Sequence, residues 1–172
     1  EESSTDVALV QGVGESLPFR SGSLDKVVCK GALDHFADVA KTMEEVARVL
    51  KPGGEAIFAV ANFEGLSSRL SRALCPLIRY LYPRWEPLWQ VPEDHNYRFD
   101  YPMLKGFASE YLQIKEAIGV SLLWGAPFWG VFLKPLPTPP SNMIMGLLDR
   151  LAHHLPQISD VIIIKCTPRS TR

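Results

Sequence analysis

The chain has 172 residues, of which 47% are hydrophobic and 22% charged, a composition that suits one globular domain with one core. Its net charge of −1 excludes a surface that attracts nucleic acid over its whole area, although local charged patches remain open. No apolar run has the length of a membrane span, and the three cysteines lie far apart without metal-ligand spacing, which favours a reducing, cytoplasmic compartment.

The first residues predict two strands separated by a loop. Residues 7–10 form a short apolar run typical of a strand, and glycine, serine and Pro18 interrupt residues 12–23, which therefore read as a loop. A second strand, buried in the core, is expected at residues 27–29.

Residues 39–50 have the clearest helical period, with the charged residues on the opposite side of the helix. We expect Asp38 to cap this helix and Glu44 to pair with Arg48 four residues later. The sequence Lys-Pro-Gly-Gly at residues 51–54 ends the helix. The apolar face comprises Val39, Met43, Val46, Ala47 and Leu50.

The next elements follow in the same alternation. A strand that is apolar on both faces is predicted at residues 56–61, and a helix at residues 66–81 that Pro76 breaks into two pieces. Asp100 caps a short helix that runs through Tyr111. The remaining predictions are a strand at residues 112–120, an apolar loop at 124–140 and a helix at 142–155. The closing strand is predicted at residues 161–165, with Ile158 included at its start.

Strands that alternate with helices over short connections predict an α/β fold with a mostly parallel sheet and flanking helices. We expect one domain over residues 1–172. It would carry a helical lid insertion on the substrate side at residues 62–98, and an apolar loop and helix at residues 122–155 between the last two strands.

Four segments in the first third of the chain stand in a specific order. They are Gly-Glu-Ser-Leu-Pro-Phe at residues 14–19, Ser-Leu-Asp-Lys-Val-Val-Cys at 23–29, Leu-Asp-His-Phe at 33–36 and a helix end, Glu-Glu-Val-Ala-Arg-Val-Leu-Lys-Pro-Gly-Gly, at 44–54. Together they resemble the small-molecule class I S-adenosylmethionine-dependent methyltransferases that include the quinone-biosynthesis methylases. The resemblance implies a Rossmann-like fold, and it becomes weaker beyond residue 64.

The resemblance also implies what is missing. Family members hold most of the cofactor with a Gly-x-Gly-x-Gly loop and an acidic residue that would both lie upstream of Glu1. The resemblance therefore implies that the sequence is a truncated, C-terminal portion of the family domain. The absence of a methionine at Glu1 suggests a fragment, a processed chain or a trimmed one. Gly12-Val13-Gly14 lacks a third glycine and is followed by Pro18, so it is a poor candidate for that loop.

The resemblance assigns two loops to S-adenosylmethionine. Val13, Gly14 and Glu15 fall where the family encloses the adenine, although valine replaces an acidic residue that often accepts from the adenine amino group. Residues 30–32, Lys-Gly-Ala, follow a strand at the carboxyl edge of the sheet, where open α/β sheets bind ligands. The alternatives are an ordinary loop at residues 13–15 and a Lys30 side chain that points to solvent.

Two histidines are candidates for catalysis. His95 lies in a polar cluster before a helix and could accept a proton from an acceptor hydroxyl, or it could be a surface residue. His35 corresponds to a histidine common in the family and either orients substrate or packs structurally. We predict no metal, because Cys29, Asp34, His35 and Asp38 match no zinc spacing.

Arginines, leucines, Trp85 and Trp89 between residues 66 and 89 resemble an interfacial, membrane-contacting segment, although a lid whose apolar face closes the active site is the favoured interpretation. An apolar or aromatic small-molecule acceptor is indicated by this segment and by further aromatic residues. These are Trp124, Phe128, Trp129 and Phe132.

Two functions remain open from the sequence. The first is transfer of a methyl group from S-adenosylmethionine to a small acceptor. The second is an inactive methyltransferase remnant that serves as an interaction or scaffold module. Neither involves nucleic acid, and both are expected to be cytoplasmic, with membrane association left open for the enzyme.

Overall fold

A computed structural model describes residues 8–81, 84 and 95–169. Nine helices and strands follow one another within these residues, with a single 3-10 turn at Leu33–His35 between the first two. They are β1 (Leu24–Lys30), α1 (Val39–Val49), β2 (Leu50–Ala61), α2 (Leu66–Leu81), α3 (Tyr101–Tyr111), β3 (Leu112–Val120), α4 (Trp129–Leu133), α5 (Thr138–His154) and β4 (Val161–Pro168).

The described strands form one sheet in the order β1-β2-β4-β3. β1 pairs in parallel with β2, whereas β4 pairs in antiparallel fashion with both β2 and β3. Three strands therefore point in one direction and only β4 is reversed. The predicted α/β class is confirmed, but the expectation of mostly parallel pairing is wrong here, because the reversed strand lies between two others and makes both of its pairings antiparallel.

The core lies between the sheet and the helices α1 and α3, which contact each other. The predicted apolar face of α1 is confirmed: Val39, Met43 and Val46 are buried, and Asp38 caps the helix by accepting from the Lys41 amide at 2.9 Å. Asp100 caps α3 in the same way at 2.8 Å. β1 differs from prediction, because Val28 is 68% exposed on this edge strand.

Three further predictions from the sequence are wrong. Residues 8–10 form no strand, and Leu9 is 92% exposed, because no described strand lies beside them; Val7 is outside the described residues. α2 continues through Pro76 without a break. β2 begins at Leu50 instead of residue 56, and Gly53 adopts a φ of +80° within it. None of the described helices has the length and apolar character needed to cross a bilayer.

A buried polar junction connects the ends of β2, β3 and β4. The Asn62 side-chain amide donates to the Ser159 carbonyl at 2.8 Å and the Gln157 carbonyl at 3.1 Å. Ser159 is fully buried, and its hydroxyl donates to the Val161 carbonyl at 2.8 Å. Gly119 and Gly65 allow this backbone to approach closely, since a Cβ atom at either would lie within 2.6 Å of Ser159 or its neighbours. The junction holds the start of α2 beside the residues that precede β4, where the Leu66 amide donates to the Ile158 carbonyl at 2.9 Å.

Glu45 and Arg48 attach the loop before β1 to α1. Glu45 accepts from Arg48 at 2.7 Å and from the Leu17 amide at 2.8 Å, and Arg48 donates to the carbonyls of Leu17 and Phe19. The predicted partner Glu44 is wrong for Arg48, since Glu44 pairs with Lys41 instead. Glu45 lies three residues before Arg48 and its carboxylate also faces the loop. Glu44 lies four residues before Arg48 and its carboxylate faces solvent.

We expect Glu45→Gln to lower the free energy of unfolding by about 1.5–3 kcal/mol, because it removes charge-assisted hydrogen bonds from a buried carboxylate. The hydrogen bonds from Arg48 lower the pKa of Glu45 from 4.5 to about 2. A carboxyl with a lowered folded pKa stabilises the protein above pH 4.5 and loses this contribution as pH falls towards 2.

Urea unfolding at several pH values measures this effect, and Glu44→Gln is the control. The control alters an exposed pair and should change stability by less than about 0.5 kcal/mol. A difference between wild type and Glu45→Gln that persists unchanged down to pH 2 would contradict the proposed cause.

A matched glycine pair tests the packing at the junction. Gly119→Ala would place a Cβ 2.3 Å from the Ala152 carbonyl oxygen, so we expect a loss of about 2–3 kcal/mol in unfolding free energy. Gly106→Ala in α3 meets no atom within 4 Å and should stabilise the protein by about 0.5–1 kcal/mol. Thermal unfolding of both variants checks the opposite signs.

Candidate functional site

The candidate site lies where the parallel strands β1 and β2 end. Gly31 follows β1 with a φ of +59° and donates its amide to the Ala59 carbonyl of β2 at 2.9 Å. This left-handed residue turns the chain into the 3-10 turn that carries Asp34 and His35. Phe63 follows β2 at the same edge and donates its amide to the Phe99 carbonyl at 2.9 Å.

Asp34 and His95 form a close pair at this edge. His95 Nε2 lies 2.8 Å from Asp34 Oδ2, and their side chains are 16% and 9% exposed. His35 stands beside them, with its ring centroid 4.3 Å from that of His95 and its Nε2 atom 3.9 Å from Asp34 Oδ1. The ring of Phe63 lies edge-on to His95 at 6.4 Å. The buried Asp34 carboxylate thus orients the half-buried His95 imidazole, and the Phe63 ring lies beside that imidazole.

Backbone hydrogen bonds fix this arrangement. The amides of Asn96 and Tyr97 both donate to the Asp34 carbonyl, at 2.8 and 3.2 Å. The Asn96 side chain donates to the carbonyls of His35 and Phe36, at 3.0 and 3.2 Å, and the Tyr97 hydroxyl donates to the Ala37 carbonyl at 3.2 Å. We call these contacts between residues 34–37 and 95–97 the loop clamp. It brings together two histidines that are 60 positions apart in sequence.

The loop predicted to enclose adenine is anchored to α1. A Cβ at Gly14 would lie 2.8 Å from the Phe36 ring, so a larger residue there would displace that side chain. Glu15 accepts from the amides of Ala37 and Asp38 at 2.9 and 3.1 Å. These hydrogen bonds, with that of Asp38 contributing most, lower the pKa of Glu15. The Glu15 carboxylate therefore has a structural role, while Val13 next to it is 61% exposed.

The second predicted cofactor loop is open to solvent. Lys30 and Gly31 are exposed, Ala32 is half-buried, and a Cβ at Gly31 would contact no atom within 4 Å. The backbone of these residues is accessible beside the pair of Asp34 and His95. The two predicted loops therefore flank the turn at residues 33–38, and their role in cofactor binding stays a prediction.

Asp34, His35 and His95 also offer the donor types of a metal site, since one ligand atom from each lies within 4.8 Å of the others. Asp34 Oδ1 is buried without a hydrogen-bond partner among the described residues. Asp34 Oδ2, however, already lies 2.8 Å from His95 Nε2. This distance fits a hydrogen bond between the two side chains as well as it fits two ligands of one metal ion. Cys29 and Asp38 are not part of this group.

Sequence reasoning missed three contributors to the site. It considered Asp34 only as a metal ligand, and it gave no role to Asn96 or Phe63. Asn96 and His95 follow a polar run, which was the only available signal. The contacts of Asp34 and Phe63 depend on the sheet edge that folding creates.

The segments predicted to favour an apolar acceptor are only partly described. Trp85 and Trp89 lie outside the described residues, as do Glu93 and Asp94 next to His95. Trp124 is 63% exposed, and Phe128 has a positive φ of 61°. A hypothetical Cβ at Gly125 would lie 3.4 Å from Ser67, which places this loop against the inner face of α2.

Part of the chain is similar in sequence to known methyltransferases. Residues 1–58 match the family described as methyltransferase domain. A Bacillus subtilis protein, the uncharacterized methyltransferase YcgJ, is 48% identical over 54 residues, which are 31% of this chain and 21% of that protein. The 2-methoxy-6-polyprenyl-1,4-benzoquinol methylase of Leishmania donovani is 28% identical over 111 residues, which are 61% of this chain and 35% of that protein.

The fold of the chain is similar to that of solved methyltransferase structures. A SAM-dependent methyltransferase of Thermotoga maritima superposes with a TM-score of 0.57 at 13% identity, over 93% of this chain and 63% of that one. The chain thus spans less than two thirds of this structure, and the sequence matches cover between a fifth and about a third of the two curated relatives.

We expect Asn96→Ala to loosen the loop clamp. The variant loses two hydrogen bonds to carbonyls, so the stability of the clamp should fall by about 1 kcal/mol. Amide hydrogen exchange should then become faster at positions 96 and 97 but remain unchanged at Val46 in α1. Asn142→Ala, at an exposed position on α5, is the control. Equal protection of residues 96 and 97 in both variants would contradict the role of the clamp.

Proposed function

We propose that this chain, which carries part of a class I S-adenosylmethionine-dependent methyltransferase domain, belongs to a protein that transfers a methyl group to a small apolar or aromatic acceptor. The observation that carries the proposal is the pair of Asp34 and His95 at the carboxyl ends of β1 and β2. Ligands of open α/β sheets bind at this edge.

The residues present fit S-adenosylmethionine. The backbone of Gly31 and Ala32 is accessible at the sheet edge, and the exposed Val13 side chain offers an apolar surface to the adenine. Gly14 and Glu15 hold the backbone of that loop against α1, and Lys30 lies at the rim. When bound, the cofactor supplies an electrophilic methyl group on a sulfonium, which leaves as a thioether.

His95 is proposed as the catalytic base. His95, which Asp34 orients through Nε2, is proposed to accept a proton from an acceptor hydroxyl. The buried Asp34 carboxylate orients the ring and stabilises the imidazolium that forms. His35 is proposed to orient the acceptor from beside His95. Proximity and exclusion of water provide the rest of the acceleration.

The acceptor is proposed to be a hydroxylated aromatic with an apolar substituent. Phe63 lies beside His95, and the partial relative from Leishmania donovani is a benzoquinol methylase. Residues 62–98 are proposed to act as a lid on the substrate side. Residues 122–155 support that lid from the inside, and both belong with the rest of residues 1–172 to one domain.

The same proposal includes a cytoplasmic enzyme with peripheral membrane contact through residues 66–89, of which residues 66–81 and 84 are described. The alternative of an inactive scaffold module has less support. The polar pair at the sheet edge is half-buried and oriented, which a purely structural surface does not need.

His95→Ala tests the assignment in the full-length protein, with reduced 2-methoxy-6-prenyl-1,4-benzoquinone as acceptor and S-adenosylhomocysteine formation as the readout. We expect kcat to fall by about 10²–10⁴-fold, the usual contribution of a positioned base. Binding of S-adenosylhomocysteine, measured by calorimetry, should stay within about twofold of wild type, since His95 is assigned to the acceptor.

His154→Ala, on the exposed end of α5, is the control and should leave kcat unchanged. A His95→Ala enzyme with wild-type kcat would contradict the catalytic role. A wild-type protein that neither binds S-adenosylhomocysteine nor forms it would instead support the scaffold alternative.

A further inference from the structure

α2 presents its leucines to solvent and its serines to the protein. Ser67 and Ser71 are 4% and 2% exposed, and Ile78 is the only apolar residue among the buried positions of this helix. At 3.6 residues per turn, the leucines at positions 70, 74, 77 and 81 form one continuous stripe next to the buried face. The exposed fractions are 37% for Leu70, 42% for Leu74, 57% for Leu77 and 59% for Leu81.

This orientation differs from that of a helix packed onto a core. A globular helix normally buries its apolar stripe and exposes its polar residues. Here the serine side is covered by the backbone that the Asn62 junction positions and by the loop around Gly125. The leucine stripe therefore belongs to the outer surface of the protein, and Tyr80, which is 83% exposed, extends it.

Arg72 and Arg79 lie on the side of α2 opposite the leucine stripe. Residues 65–81 contain three arginines and no aspartate or glutamate, and Arg84 follows. Arg69 and Arg72 contact Glu64 at 3.7 and 2.7 Å, which offsets part of their charge. Arg79 and Arg84 are exposed and form no ion pair within the described part of the chain. The excess is positive although the whole chain has a net charge of −1.

α5 also carries an exposed apolar stripe, and its charges can be compared with those of α2. Met143, Leu147 and Leu151 are 71%, 58% and 43% exposed on α5. The same helix carries both Asp149 and Arg150, so its charges balance. Among the described helices, α2 alone combines an outward apolar stripe with an unpaired arginine, Arg79, on its opposite face. This is the pattern of a helix that lies in the interface of an anionic bilayer.

We propose that α2 binds peripherally to anionic phospholipid through its leucine stripe and its basic opposite face. The leucines enter the headgroup–acyl boundary, and the arginines on the opposite face attract the anionic surface through their charge. This proposal deepens the membrane contact proposed above by naming the helix face and the lipid class. It does not depend on methyl transfer, and vesicle binding tests it separately from catalysis.

The test is co-sedimentation of the full-length protein with vesicles of phosphatidylcholine alone and of phosphatidylcholine with 30% phosphatidylglycerol. We expect partitioning to be at least tenfold stronger onto the anionic vesicles and to fall in 0.5 M NaCl, because salt screens the attraction between the arginines and the anionic surface. Arg79→Ala should weaken it about fivefold, and Leu74→Glu with Leu77→Glu should abolish it.

Leu147→Glu on the balanced stripe of α5 is the matched control and should bind as wild type does. Circular dichroism verifies that each variant folds, which is expected because all substituted side chains are exposed. Equal binding to both vesicle types, no binding to either, or an equal loss in the α5 variant would overturn the proposal. Concentration-dependent dimerisation that the α2 substitutions abolish, without lipid binding, would assign the stripe to a second copy and would also overturn it.

Discussion

The candidate site depends on the hydrogen bonds that the Asp34 carbonyl accepts from the amides of Asn96 and Tyr97. These two contacts join the turn after β1 to the segment before α3, and the Asn96 side chain extends the connection to His35 and Phe36. Because both partners are backbone segments, the relative placement of the catalytic candidates is fixed by the fold and not by side-chain rotamers alone. The imidazole of His95 then has a buried carboxylate within hydrogen-bond distance, at the sheet edge proposed to hold S-adenosylmethionine.

The reversed strand β4 has a similar organising role at the same end of the sheet. It inserts between β2 and β3, and the residues just before it, Gln157 and Ser159, accept from the Asn62 side chain in a buried junction. α2 begins next to this junction, at the edge of the site, and the serine face of α2 points inward. The outward leucine stripe follows from this geometry, so the surface proposed to meet lipid and the site proposed to hold the acceptor are connected through Asn62 and Phe63. An acceptor with an apolar substituent would benefit from that proximity.

Local patterns in the sequence predicted the elements well where apolar periodicity and caps agree. α1 with its Asp38 cap, α3 with its Asp100 cap and β3 lie at or within one residue of the predicted bounds. Features that depend on tertiary neighbours could not be read in this way. Pro76 is accommodated inside α2, Arg48 selects Glu45 because that carboxylate also reaches the Leu17 amide, and the exposure of Val28 follows from an edge position. His95 was predicted as a candidate from its polar surroundings, whereas its partner Asp34 emerged only from contacts that span 61 residues of chain.

The most direct test of the central claim is an amide NMR spectrum of the full-length protein titrated with S-adenosylhomocysteine. If the carboxyl edge of β1 and β2 holds the cofactor, the amides of Val13, Gly14, Gly31 and Ala32 should shift on binding, together with those of the turn that carries Asp34. Unchanged resonances at these positions, or shifts confined to α5, would contradict the account.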